Sequence, residues 1–172
     1  KYGTDKPDLR NPIEIIDVTE VFKDSGFTLF AKAINSGSVV RAIPVPDGAS
    51  KARSYFDKMN EWARSAGWPG LGYIQFSDSG DAKGPIAKNL NDSNLSDLQQ
   101  LTGVSDSDAL FFVCDASDKA AELAGQARIK IGIDLDLLEK KAFRFCWIIN
   151  YPMYEWDEVG QKIEFSHNPF SM

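Results

Sequence analysis

The segment DALFFVCD, residues 108–115, constrains the fold more than any other stretch of the chain. It is a continuous run of apolar residues with an aspartate at each end. A run of this kind is typical of a β-strand that is covered on both of its faces. We therefore predict a buried strand here, and other parts of the chain must cover it.

Apolar residues at steps of three and four predict the helices. The clearest stripe lies in residues 50–66, and its members are Ala52, Tyr55, Phe56, Met59, Trp62, Ala63 and Ala66. Residues 94–101 predict a shorter helix, and residues 117–131 predict one with a stripe of small side chains that permits close packing on a sheet. A further short helix is expected to begin after Asp17.

Strand patterns alternate with these helices. Residues 27–34, FTLFAKAI, and residues 38–46, SVVRAIPVP, predict a hairpin around a polar turn. Residues 71–76 alternate like a half-buried strand, and residues 84–90, GPIAKNL, predict a short strand. This order of elements favours an α+β fold, a two-layer sandwich of a mainly antiparallel sheet with helices on one face.

The last part of the chain has a different character. Residues 143–156 and 162–170 are aromatic-rich, strand-like segments joined by DEVGQ, which predicts a second β-hairpin. A lone hairpin is only marginally stable in water. We therefore expect these strands to belong to a larger sheet.

Charge and cysteine content indicate the setting of the protein. The formal net charge of −6 opposes nonspecific binding to a polyanion such as nucleic acid. No apolar run reaches the length needed to cross a bilayer, so no membrane partner is expected. Cys114 and Cys146 each lie in an apolar, strand-like run, where buried thiols are expected rather than a disulfide. We predict a soluble protein of the cytoplasm.

Motifs near both ends resemble one family. YGTDKPDLR, residues 2–10, resembles a stretch of bacterial-type aspartyl-tRNA synthetases that precedes an insertion in their class II catalytic domain. FRFCWIINYPMYEWDE, residues 143–158, and HNPFS, residues 167–171, resemble the segment where that catalytic domain resumes. Between them, GPIAKNL is similar to the insertion module, of GAD type, that is shared with archaeal-type tRNA-dependent amidotransferase subunits.

The resemblance implies an internal fragment of such a synthetase. Residues 1–16 are then a catalytic-domain flank and linker, residues 17–140 are the GAD-like insertion, and residues 141–172 are a β-hairpin segment of the catalytic domain. The family activates L-aspartate with ATP and Mg²⁺ and transfers it to tRNA. The complete enzyme is expected to be a homodimer. The fragment alone is expected to be an inactive monomer that binds neither ATP nor metal, with a scaffolding or tRNA-contact role.

His167 is the only histidine of the chain. The histidine at the matching position of the family helps to bind aspartate, and an imidazole suits a carboxylate because either nitrogen can donate a hydrogen bond. We therefore expect His167 to bind L-aspartate in the complete enzyme, and we assign no catalytic residue or metal ligand to this chain. Asn168 and Asn150 depart from the family pattern, so the roles of those positions are not transferred.

Other charged residues are interpreted structurally. Asp5, Asp8 and Arg10 are expected to form a local salt-bridge and turn network rather than a functional group. Four cations on the long helix are expected to lie on a solvated face, with a contact to the tRNA backbone as the alternative. They are Lys51, Arg53, Lys58 and Arg64.

Two other functions stay open at this point. The chain could be a subunit of a tRNA-dependent amidotransferase that carries the same module, although that family is not expected to frame the module with the two flanking motifs. A free-standing interaction domain is the other alternative.

Overall fold

The computed structural model describes residues 1–77, 81–149, 152–157 and 159–166. The strands in this part of the chain are β1 (Ile16–Asp17), β2 (Val39–Val45), β3 (Gly72–Phe76), β4 (Ala82–Lys83), β5 (Ala109–Asp115), β6 (Tyr154–Asp157) and β7 (Lys162–Phe165). The helices are α1 (Thr19–Lys23), α2 (Thr28–Asn35), α3 (Arg53–Ser65), α4 (Asp92–Thr102) and α5 (Ser117–Asp134). Two 3-10 turns lie at Gly48–Ser50 and Ala87–Asn89.

Five strands form one antiparallel sheet in the order β1-β2-β5-β3-β4. The strand predicted from DALFFVCD is β5, which lies in the middle of the sheet between β2 and β3. Neighbouring residues of a strand point to opposite faces, and both Phe111 and Phe112 are buried. The prediction of a strand covered on both faces is therefore confirmed.

Helices pack on both faces of this sheet. On one face, α3 and α5 cover the strands, and the ring of Phe56 lies 5.3 Å from that of Phe111. On the other face, α1, α2 and α4 contribute buried side chains such as Leu98. There the ring of Phe22 meets that of Phe112 edge to face at 5.3 Å.

The α+β class and the antiparallel sheet are confirmed, but the helices are not confined to one face. Strand β2 gives the reason. Val40 and Ala42 point to one face, Ile43 and Val45 point to the other, and all four are buried. A strand that is apolar on both faces needs a covering layer on each side, so the sheet is the middle of three layers.

The predicted hairpin of residues 27–34 and 38–46 is wrong, because the first segment forms helix α2. Apolar residues in FTLFAKAI recur at steps of two as well as of three and four, so the pattern fits either element. Burial follows the helical spacing, since Phe30 is buried while Leu29 is 67% exposed. The second segment, strand β2, pairs with β1 and β5 instead.

The four predicted helices are confirmed as α1, α3, α4 and α5, with small shifts at their ends. Helix α4 starts after Asn91, whose side chain accepts a hydrogen bond from the Asn94 backbone N–H. It ends before Gly103, which has a φ of 69°. Residues 84–90, predicted as a strand, contain no strand and instead include the 3-10 turn Ala87–Asn89, because Gly84 has a φ of 126° and takes the chain out of the extended conformation.

The terminal hairpin is confirmed as strands β6 and β7, but its first strand is much shorter than predicted, since it covers only Tyr154–Asp157 and residues 143–149 form no strand. They form a separate two-stranded sheet. Trp156 lies opposite Ile163, and the two side chains are 55% and 68% exposed. This hairpin therefore buries little of its own apolar surface.

Candidate functional site

The predicted aspartate-binding residue, His167, lies outside the described residues. Asn168, Asn150 and Tyr151 lie outside them as well. The role of His167 therefore stays a prediction. The two flanks can be followed over residues 1–16 and over most of residues 141–166.

Arg128 of helix α5 holds the N-terminal flank. Its side chain is fully buried, and its Nε and Nη2 atoms donate to the backbone carbonyls of Ile13 at 2.6 Å, Asn11 at 2.7 Å and Asp8 at 3.0 Å. The guanidinium also lies 5.0 Å from the ring centre of Tyr2. Burial lowers the pKa of Arg128, but an arginine keeps its proton at neutral pH. One buried cation thus fastens residues 2–13 to α5.

Close backbone contacts complete this attachment. A Cβ atom added to Gly3, which has a φ of 69°, would lie 2.2 Å from the Ala121 carbonyl oxygen and 2.6 Å from the Gly125 Cα. The Nδ2 of Asn11 donates to the Arg128 carbonyl at 2.9 Å, and a Cβ at Gly132 would meet that amide at 2.3 Å. Only glycine leaves room for this approach of the flank to the helix.

Of the expected network of Asp5, Asp8 and Arg10, the pair of Asp8 and Arg10 is present. The Nε and Nη2 atoms of Arg10 donate to the two carboxylate oxygens of Asp8 at 3.0 Å and 2.7 Å. These side-chain hydrogen bonds, with that from the Arg10 backbone N–H, lower the pKa of Asp8 to about 2. The pair fixes the turn next to the Asp8 carbonyl that Arg128 binds.

Sequence reasoning missed Arg128, although a signal was present. The small-residue stripe of α5 runs through Ala120, Ala124 and Ala127. Arg128 follows Ala124 by four positions and therefore lies on the same face. A cation on the buried face of a helix must be paired or hydrogen-bonded, so this position pointed to a fixed partner.

The second flank presents apolar side chains to solvent. Phe143, Phe145 and Trp147 are 88%, 90% and 93% exposed. Arg144 of this flank makes a two-point ion pair with Glu139, just before the flank, with both N···O distances at 2.7 Å. Large aromatic side chains grouped in this way and left exposed are typical of an interaction surface.

The two cysteines differ in their surroundings. Cys114, in β5, is half-buried, and burial raises the pKa of its thiol to about 11. Cys146 is exposed, which corrects the expectation that it would be buried. Residues 143–149 form no strand, so the apolar run around Cys146 has no sheet to enclose it.

The cations of the long helix take different positions. Arg53 is exposed and lies 3.6 Å from Asp57, in the solvated arrangement that was expected. Arg53 and Arg64 line cavities beside α3, whereas Lys58 is exposed away from them. Over residues 1–77, 81–149, 152–157 and 159–166, no helix is long and apolar enough to cross a membrane.

Comparison with known proteins identifies the module. A family model described as the GAD domain matches residues 30–124. The aspartate–tRNA(Asp/Asn) ligases of Rickettsia bellii, Rickettsia canadensis and Rickettsia prowazekii are 60%, 60% and 59% identical over 172 residues, which is 100% of this chain. The chain spans 28–29% of the length of these relatives. Since the family model covers more than half of the residues, this chain belongs to the GAD domain family.

Proposed function

We propose that this chain is a segment of an aspartate–tRNA ligase, which activates L-aspartate with ATP and transfers it to tRNA. One observation carries the proposal. The identity of 58–60% to the Rickettsia ligases extends over all 172 residues and is not confined to the GAD domain. An amidotransferase subunit that shares only the module would not match in both flanks.

We assign the GAD-like insertion to residues 17–140 and the catalytic-domain flanks to residues 1–16 and 141–172. The exposed aromatic side chains of the second flank support this division, because they need a partner surface that the five-stranded sheet does not supply. Ile13 and Ile15 of the first flank belong to the apolar core. The first flank therefore folds together with the insertion.

The chemistry assigned to this chain is the binding of a substrate carboxylate. His167 would donate a hydrogen bond to L-aspartate, and the bond is stronger when the imidazole is protonated. The described residues bring no three His, Cys, Asp or Glu side chains together as a metal site. We further propose that other parts of the ligase hold ATP and Mg²⁺ and that the complete ligase is a homodimeric enzyme of the cytoplasm.

A chimera tests the proposal. Residues 1–172 replace the matching segment of the Rickettsia bellii ligase, and aspartate-dependent exchange of pyrophosphate into ATP is measured. We expect the chimera to catalyse exchange and the isolated chain to be inactive. A folded chimera without exchange would contradict the proposal, as would exchange by the isolated chain.

The same chimera tests His167. His167→Ala should raise the KM for aspartate about tenfold or more, since it removes a hydrogen bond to a charged group. Ser166→Ala, at the neighbouring position, is the control. It keeps the backbone N–H of Ser166, which donates to the Met153 carbonyl at 3.0 Å. Equal KM values in the two variants would remove His167 from the aspartate site.

A further inference from the structure

The motif GPIAKNL has a structural explanation for only some of its residues. A Cβ at Gly84 would lie 2.5 Å from the Tyr73 carbonyl oxygen, so this position needs glycine. Ile86 and Ala87 are buried in the core. Pro85 and Lys88, in contrast, are exposed and line cavities next to α3. The fold therefore leaves Lys88 free for another role.

Two adjoining cavities form one cleft between α3 and this motif. Their volumes are about 460 Å³ and 570 Å³, and they share Asn60, Leu71 and Pro85 as lining residues. The larger one is bordered by Arg53 and Lys88, and the smaller one reaches towards α2. We call this combined surface the α3 cleft.

The α3 cleft has the opposite charge to the chain as a whole. Its charged lining residues are three cations, Arg53, Arg64 and Lys88, and one carboxylate, Asp57. The net local charge is therefore +2, whereas the chain carries −6. Among the described residues, neither Arg64 nor Lys88 has an ion-pair partner within 4.0 Å, so both are available to an external anion.

The cleft also has an apolar end and a free amide donor. The Oδ1 of Asn60 accepts from the Leu71 backbone N–H at 3.0 Å, so its Nδ2 is the atom that remains for a ligand. The smaller cavity ends at Phe27 and Leu29, the latter 67% exposed. A ligand that fits the whole cleft carries an anion next to an apolar group.

We propose that the α3 cleft binds a single-stranded segment of tRNA, with phosphates at Arg53, Arg64 and Lys88 and an unstacked base at the apolar end. A nucleotide joins an anionic phosphate to a flat ring at short range, which matches this sequence of charged and apolar surface. The partner rests on the proposed function, since tRNA is the substrate of that reaction. An acidic peptide carries no flat ring next to its carboxylates, so the apolar end of the cleft favours RNA over such a peptide.

Binding of a fluorescent aspartate tRNA transcript to the 172-residue chain tests this inference. Lys88→Glu and Arg64→Glu should each weaken binding at low salt about fivefold, and each should lower the dependence of log K on log salt by about one. Lys58→Glu is the matched control, because it makes the same charge change on α3 outside the cleft. It should weaken binding less than twofold.

Several outcomes would overturn the inference. These are an absence of tRNA binding, an equal loss with Lys58→Glu, or displacement of tRNA by polyglutamate of equal charge concentration. Thermal melting of each variant confirms that it is folded. Pyrophosphate exchange by the chimera needs no tRNA contact, so it reports on the proposed function separately from this site.

Discussion

At the scale of single residues, Arg128 is the most informative side chain of the chain. It donates hydrogen bonds to three backbone carbonyls. Those of Ile13 and Asn11 belong to buried residues and lose this donor when Arg128 is replaced, whereas the half-buried Asp8 carbonyl also accepts from the Asn11 N–H at 3.3 Å. Arg128→Met should therefore lower the free energy of unfolding by about 2–4 kcal/mol, measured by urea denaturation. Lys130→Met removes a half-buried ion pair with Asp134 from the same helix and should cost about 0.5–1 kcal/mol. Similar losses would mean that the buried guanidinium does not fasten the flank.

Gly3 offers a controlled test of the close approach between the flank and α5. Gly3 and Gly103 both have a φ of 69°, but a Cβ at Gly103 meets no atom within 4 Å. Alanine at either position is destabilised to the same extent by the positive φ. Only in Gly3→Ala does the new Cβ also collide with the backbone of α5. Exchange of the Ile15 amide, which bonds the Lys1 carbonyl at 2.8 Å, should become about tenfold faster in Gly3→Ala alone. Unchanged exchange would contradict the packing.

The ionised carboxylate of Asp8 is expected to contribute to the free energy of unfolding, and acid should remove this contribution. Its pKa is about 2 in the folded protein and near 3.8 when the chain is unfolded, so the unfolded state takes up a proton first as the pH falls. The contribution is complete above about pH 4 and is lost as the pH falls towards 2. Urea midpoints of the parent chain and Asp8→Asn should differ at pH 6, and the gap should close between about pH 4 and 2. A gap as large at pH 2 as at pH 6 would contradict this origin.

Among the helices and strands, the sequence correctly predicted the elements whose apolar residues follow one clear period. Helix α3 and strand β5 are of this kind, because each has a single hydrophobic pattern and a length typical of its class. The eight residues of helix α2 fit both the strand period and the helix period, so their pattern alone predicts a strand as readily as a helix. Its packing on Phe22, whose ring lies 5.1 Å from that of Phe30, decides the conformation and is not visible in the local sequence.

The terminal hairpin should contribute little to the stability of the five-stranded sheet. Its described apolar side chains are about half exposed or more, as Tyr154 at 55% and Phe165 at 68% illustrate. A chain that ends at Lys140 should therefore melt within about 2 °C of the full chain in calorimetry. It should also bind less of a dye for apolar surfaces. A large drop in the melting temperature would show that residues 141–172 are part of the folded core.

At the scale of the whole molecule, total charge was a poor guide to local surfaces. The net charge of −6 argued against a polyanion partner, yet the fold collects Arg53, Arg64 and Lys88 around one cleft. Lys88 comes from a motif more than twenty residues away from α3, so only the tertiary fold brings these cations together. The flanking motifs, in contrast, are continuous in sequence and could be recognised without a structure.

We propose that this chain supplies the GAD domain and both flanks to an aspartate–tRNA ligase. The decisive measurement is the charging of aspartate tRNA with radiolabelled aspartate by the Rickettsia bellii chimera. We expect the chimera to charge tRNA within about tenfold of the rate of the parent ligase, since a loss of that size corresponds to about 1.4 kcal/mol. A stable, folded chimera that leaves the tRNA uncharged would show that this chain cannot replace the ligase segment.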